Sequence, residues 1–480
     1  MDRLPMEITH MIFARFKGRG RAIALLRLVC KTFAAVGLHY LVPEVHLIFK
    51  SSSFQHLREV SEHPVISQHV ETLFYEADTL SNHWTMKQWK KRIIVPGWFQ
   101  SIADDKVILP PPTASTREQR AYTRDMKRRR AGPRYTQSEK QLKIAYEKYQ
   151  SYLSDQNSMR VCDYNAEAIR EALIRMPNLK NIDMSMECCL YESRSTKADR
   201  AFGDGYQTVF GDNGQKESCG VPQMRSLLLD ASHAGLKLQS LRCGNIHWEI
   251  FKQSGKIFEE MKKAIQYLTM FNLQVTTRIS DDGSADSLDS DDHHSQIPAC
   301  AEYLKESGRL RKFVIAAPDL KVLDISFDME NPYPPAGLKQ IVGDFTWHSL
   351  QHLAFNVLQT TEDELVELFS RHASTLNGIV LDTIKLTKGP WPRLLQRMRK
   401  TLCLEEAMIH GRVTSTDPKE DFDFGFRPEH NDGVPSVLSS AVERYLILGG
   451  DGPLLNLSAL SFLEDEDSEP ESDWHELHKI

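Results

Sequence analysis

The sequence predicts an α/β protein in which a short all-helical N-terminal segment is followed by an irregular solenoid of strand-and-helix units. Three observations carry this prediction. Apolar residues recur at helical steps through the first forty residues, a strand pattern of the form apolar-x-x-apolar-x-apolar returns down the chain, and amphipathic helical stretches precede several of its copies.

The chain opens "LPMEITHMIFARF" from Leu4. Pro5 suits a first helical position, and Leu4, Ile8 and Ile12 follow at steps of four, so one helix face is apolar. A basic turn, "KGRGR", leads to "AIALLRLVCKTFAAVGLHYL", where Leu25, Leu28, Val29, Phe33 and Val36 fall at helical steps and Gly37 offers a stop. Helices this short cannot close a core alone, so the apolar face calls for a partner or for the rest of the chain.

The clearest copies of the strand pattern are "LKNIDM" from Leu179, "MRSLLL" from Met224, "LQSLRC" from Leu238, "LKVLDI" from Leu320, "LQHLAF" from Leu350 and "LNGIVL" from Leu376. Fainter copies start at Val70, Leu404 and Val442. Starts at 320, 350, 376 and 404 lie 30, 26 and 28 residues apart, an interval that fits one strand and one helix per unit. Helices sit where such units need them. Ile169, Ala172, Leu173 and Met176 share a face after an Asn165 cap, with Pro177 as the stop. Thr360 or Thr361 caps a helix that turns Leu365, Leu368 and Phe369 inward, and Pro390 and Pro392 open another. Helix then strand, repeated, favours parallel strands joined by right-handed crossovers. The polar residue expected a few positions past each strand is mostly missing, as at Glu187 and Leu358, so an ordinary α/β domain with a mixed sheet stands as the alternative.

Residues 81–135 interrupt the pattern with a Trp-rich stretch, a Pro-rich linker and the basic run Lys127, Arg128, Arg129 and Arg130. That run reads as a solvated segment before it reads as a nuclear-import signal or a phosphate contact. A helix follows, with Leu142, Tyr146, Tyr149 and Leu153 on one side. Two acidic tracts, at 280–295 and from Leu463 onward, are low in apolar residues and expected to be disordered.

The bulk numbers exclude some function classes. The chain has 480 residues, enough for two to four domains or one extended array, and its 41% hydrophobic and 26% charged content indicates neither wholesale disorder nor a membrane protein. A formal net charge of -6 gives no global attraction to nucleic acid or anionic lipid. Eight cysteines at irregular spacings, with no Cys-x-x-Cys pair, read as reduced thiols of an intracellular protein. Arg15, Lys17, Arg19 and Arg21 interrupt the first apolar stretch, and neither a signal peptide nor a membrane span is expected.

Catalytic motifs are missing: no phosphate-cradling loop, His-Glu-x-x-His helix, Gly-x-Ser-x-Gly elbow or kinase set occurs. "GDGYQTVFGDNGQ" near residue 203 lacks the Lys and Ser/Thr of a P-loop, and it reads as a hairpin or loop. Asp291, Asp292, His293 and His294 are neighbours in a flexible tract and are not read as metal ligands, while His348 and His352 flank a strand. No enzyme activity, cofactor, metal or catalytic residue is expected.

"LPMEITHMIF" followed by "LLRLVCKTFAAVG" resembles the F-box, with its Leu-Pro-x-Glu-Ile/Leu opening helix and Leu-Arg-x-Val-Cys-Lys-x-Phe/Trp closing helix. The chain is similar in particular to fungal F-box proteins, in which degenerate leucine-rich-repeat-like units often follow the box. The resemblance implies docking on a Skp-type adaptor, and through it on a cullin, as the substrate receptor of a ubiquitin ligase. Leu4, Pro5, Ile8, Ile12, Leu25, Leu28, Val29, Cys30 and Phe33 would supply the adaptor contacts and a small shared core. The turn departs from the family, having Gly18, Arg19, Gly20 and Arg21 where an Asp-Leu or similar pair is common. The implied organisation is an F-box over 1–45, a first repeat-like unit over 46–80, the insertion and helix over 81–160, an irregular leucine-rich-repeat-like domain over 161–460 and an acidic tail over 461–480. The target protein and its binding residues are not legible, membrane and nucleic-acid partners are not expected, and localisation reads as cytoplasmic, nuclear or both. A binding scaffold outside any ligase is the alternative.

Overall fold

The structure is a computed structural model that describes residues 4–77, 80, 85–92, 99–100, 134–135, 138–161, 164–185, 220–277, 291–327, 334–417, 420–424 and 437–450. The chain divides into two compact units, residues 1–268 with 273–296 and residues 269–272 with 297–480.

The first unit begins with helices α1 (Met6–Ala14), α2 (Gly20–Leu26) and α3 (Lys31–Leu41), then strand β1 (Glu44–Ile48), α4 (Ser51–Glu62) and β2 (Thr72–Glu76). After α5 (Met86–Arg92) come α6 (Glu139–Val161), α7 (Tyr164–Arg175), β3 (Asn181–Ser185), α8 (Val221–His233), β4 (Ser240–His247) and α9 (Gly255–Ile265). Strands β1, β2, β3 and β4 pair in chain order, all parallel, with Leu73 beside both Val45 and Ile182. Buried residues dominate these strands, as the crossover helices of a parallel sheet require. Trp89 of α5 is fully buried against Tyr146 and Tyr149 of α6, so part of the insertion carries core. Strand β5 (Met270–Thr276) is where the division falls.

The second unit holds most of α10 (Asp291–Ser307), α11 (Arg309–Val314), β6 (Val322–Phe327), the short α12 (Leu338–Ile341), β7 (His352–Thr361), α13 (Glu362–His372), β8 (Gly378–Lys388), α14 (Trp391–Thr401), β9 (Glu406–Thr414), β10 (Asp421–Phe424) and α15 (Val437–Leu448). Strands β6 to β9 pair in chain order and parallel, and β10 closes the edge antiparallel to β9. Helix α13 starts on a capping box: the Thr361 hydroxyl accepts from the Glu364 amide, and the Glu364 carboxylate accepts from the Thr361 amide. Its Leu365, Leu368 and Phe369 are fully buried, and α14 opens with Pro392 in its first turn. His372 accepts from the Trp347 amide at Nε2, 3.0 Å, and lies 2.8 Å from the Leu368 carbonyl at Nδ1, which fixes a neutral imidazole. Burial accordingly holds its pKa below the ordinary value.

The α/β class is as read from the sequence, but the architecture is not a short helical F-box followed by a leucine-rich-repeat-like solenoid. The chain folds as parallel sheet with helices, and α3 packs against the 3-10 turn Ile66–His69 of the same unit as β1 and β2. The six-residue pattern captures only the first half of β7, β8 and β9, which run to 10, 11 and 9 residues. Two of the expected strands are helical. "MRSLLL" lies in α8, where Met224, Leu227, Leu228 and Ala231 are buried at steps of three and four, and the copy at Val442 lies in α15, with Val442 and Leu446 buried. Asn165 is inside α7 rather than capping it. Of the acidic tract at 280–295, residues 291–295 belong to helix α10. The basic run at 127–130, the Gly-containing loop near 203, Glu187 and the acidic tail lie outside the described residues.

Candidate protein-docking surface

Helices α1 to α3 build a small core of Phe13, Ile23, Phe33 and Val36, against which Ile12, Phe16, Leu26, Cys30, Tyr40 and Leu41 pack. The Phe13 ring meets Phe33 edge-on at 5.5 Å and stacks on Tyr40 at 6.0 Å. Gly37 does not stop α3, which runs on to Leu41. It is a packing residue: a Cβ there would stand 2.3 Å from Cγ of Arg27 and 2.9 Å from Cε1 of Phe13. Arg27 lays its stem across that notch and donates from Nε to the Ala34 carbonyl at 3.2 Å.

The single closing helix expected through "LLRLVCKTF" is broken. Leu28 and Val29 donate to Leu25 and Leu26 at 3.1 Å in i to i+3 turns, and Cys30 is extended (φ -162°) before α3 begins. The break turns Leu28 and Val29 out of the core.

With the core filled, a set of apolar side chains is left over. Of twelve large hydrophobics exposed among the described residues, seven lie between Leu4 and Val29, a concentration that scattered surface leucines do not produce. Met11 is 64% exposed, Leu25 62% and Leu28 81%, with Leu4, Met6, Ile8 and Val29 also open. On α1, Ile8 and Met11 share one side three residues apart, opposite the buried Thr9 and Phe13, while the exposed Leu4 and Pro5 precede the helix, with Pro5 at its N-cap.

The nine expected contact residues therefore separate. Leu4, Pro5, Ile8, Leu25, Leu28 and Val29 face outward, Ile12 and Cys30 are half-buried against the core, and Phe33, 4% exposed, belongs to the core and is not a surface contact. Met6 and Met11 are additions. Met11 was legible at the i+3 position from Ile8, where Ile12 is the neighbouring choice on a four-residue step.

Charged groups accompany the apolar set, with Glu7 between Met6 and Ile8 and Arg15 four residues past Met11. Lys17 pairs with Glu71 at 2.6 Å, tying the basic turn to the residue before β2, and Gly18 takes φ +82° to make that turn. Beneath α1 and α3, His39 stacks on His69 of the 3-10 turn at 4.4 Å and lies 5.4 Å from His10, whose Nδ1 is 3.1 Å from the Tyr40 hydroxyl. Burial first, then the neighbouring His69 and His10, hold the His39 pKa below its ordinary value.

Such a surface is able to bury apolar area against another protein. Among the described residues no group of three or more His, Cys, Asp or Glu is placed to hold a metal ion, and no helix is long and apolar enough to cross a membrane. No protein-family model matches the chain, and no curated protein matches it.

Proposed function

We propose that this chain is the substrate-recognition subunit of an SCF-type (Skp-cullin-F-box) ubiquitin ligase. The N-terminal helices act as the F-box and dock on a Skp-type adaptor, which joins the chain to a cullin, while the α/β units hold a target protein. The supporting observation is the cluster of exposed apolar side chains from Leu4 to Val29, in the segment whose residues resemble the box. Catalysis on this reading is positional: the chain raises the effective concentration of a target beside a recruited conjugating enzyme and contributes no reactive side chain or cofactor. The working place is inside the cell, in the cytoplasm, the nucleus or both.

The experiment is co-purification of the full chain with a purified Skp-type adaptor, wild type beside Leu25→Glu/Leu28→Glu. A stoichiometric complex that the variant loses supports the receptor. A folded wild-type chain that captures no adaptor overturns it and leaves a protein-binding scaffold.

A further inference from the structure

The apolar set on α1 and α2 accounts for one partner and leaves the target without a site. In the second unit, β6, β7, β8 and β9 alternate fully buried residues such as Leu323, Leu353 and Leu381 with half-buried ones, so one sheet face points to the core and the other is open. The registers align that open face in rungs. Asp324, Ala354, Val380 and Met408 form one, and Ser326, Asn356 and Asp382 form the next, which ends on the buried His410. A third, at the strand beginnings, carries His352 and Glu406.

Immediately past the polar rung, three adjacent strands enter the left-handed region: Val357 at φ +58°, Thr383 at +54° and Gly411 at +64°. Two of these are β-branched residues, for which that conformation is strained. Stacked in this way the bulges re-aim the residues beside them. The Thr383 hydroxyl donates to Asp382 Oδ1 at 2.8 Å, and a Cβ on residue 411 would stand 2.3 Å from both atoms, so the glycine clears the space the carboxylate occupies. Asn356 Oδ1 is shielded from solvent and accepts no hydrogen bond within the protein.

Its three rungs carry the acids Asp324, Asp382 and Glu406 and no lysine or arginine; Glu406 lies 3.9 Å from His352, and Lys385 and Arg412 follow beyond the bulge. Between the acidic positions lies the apolar strip Ala354, Val380 and Met408.

We infer that this open face binds an extended, arginine- or lysine-bearing segment of a partner protein, with its basic side chain on Asp382 and Asn356 and its apolar side chains on the Ala354–Val380–Met408 strip. An extended segment alternates its side chains with period two, as the rungs do, and a guanidinium brings donors matched to a carboxylate and an amide oxygen. That the partner is a ligase target rests on the receptor reading above; the face and its charge preference do not.

The test is fluorescence anisotropy of a labelled peptide of valine, serine and arginine against the full chain, with a second peptide carrying glutamate in place of each arginine. The arginine peptide binds wild type, its Kd rises about tenfold in Asp382→Asn through loss of a charge-assisted hydrogen bond, and Ala354→Arg abolishes binding while thermal melts show both variants folded. Equal binding of the glutamate peptide, an unchanged Kd in Asp382→Asn, or no binding to folded wild type each overturns the inference. Leu25→Glu/Leu28→Glu leaves peptide binding intact and Asp382→Asn leaves adaptor capture intact, so failure of the receptor reading and failure of this one are read in different lanes.

Discussion

Replacing Leu25 and Leu28 by serine separates docking from folding in the N-terminal helices. Leu28 is 81% exposed and Leu25 62%, so neither contributes much to the core of Phe13, Ile23, Phe33 and Val36. Surface replacements of this kind move stability by no more than about 0.5 kcal/mol. In a complex the same two side chains are worth much more. Full burial of a leucine is worth roughly 1.5–3 kcal/mol, and two side chains this open bring roughly 2–4 kcal/mol to an interface, about 30- to 1,000-fold in Kd. The assay is calorimetric titration of a Skp-type adaptor into each full chain, with a urea melt run in parallel. Phe13→Ala is the reciprocal control: its fully buried ring meets Phe33 and Tyr40, and truncation costs about 3–5 kcal/mol of stability. Adaptor affinity that survives Leu25→Ser/Leu28→Ser would refute the reasoning. So would a urea midpoint that falls in that variant as far as it does in Phe13→Ala, because the leucines would then be core.

Three further outcomes follow from the geometry. Glu362 is 1% exposed and accepts from Arg393 and Arg397 at 2.7–2.8 Å; burial opposes its charge, but the two guanidinium groups prevail and its pKa lies below the ordinary 4.5. Glu362→Gln therefore lowers the urea stability of the second unit by about 1–3 kcal/mol at neutral pH, the partners being partly exposed, and the gap to wild type closes as pH falls below about 4.5, where the unfolded carboxylate protonates first. His39, whose folded pKa is below 6.5, stays neutral while the unfolded chain takes up a proton, so its contribution is intact above pH 6.5 and lost as pH falls below it; His39→Phe flattens that part of the stability profile in pH-stepped melts. Gly411→Ala forces a Cβ onto Asp382 and Thr383 at φ +64°, so in place of the roughly 0.4–1 kcal/mol that an unstrained replacement adds it removes more than about 1 kcal/mol, read as a lower urea midpoint with the m-value unchanged.

By itself the sequence determined the local punctuation and the spacing. The Thr361 cap with Glu364 three residues on, Pro392 in the first turn of α14, the inward faces at Leu142, Tyr149 and Leu153 and at Ile169 and Leu173, and the strands near 322, 352, 378 and 406 were legible because each is written in neighbouring residues. Tertiary structure decided what local pattern leaves degenerate. "MRSLLL" satisfies a strand template and a helical face equally, and its place in α8 was settled by burial of Met224, Leu227, Leu228 and Ala231 on one side. Gly37 looked like a stop, but it is filled by the stem of Arg27. Strands β1 and β5 also fit the template, in "VPEVHL" from Val42 and "LTMFNL" from Leu268, but the template alone does not separate them from a helical run such as "MRSLLL"; pairing with their sheet neighbours does. The candidate sites divide in the same way. Residues that resemble a docking helix are contiguous and could be read, but which of them point outward depends on how Phe13 and Phe33 fill the core. The rung of Ser326, Asn356, Asp382 and His410 gathers residues 26 to 30 positions apart in the chain, and only the parallel registers bring them side by side.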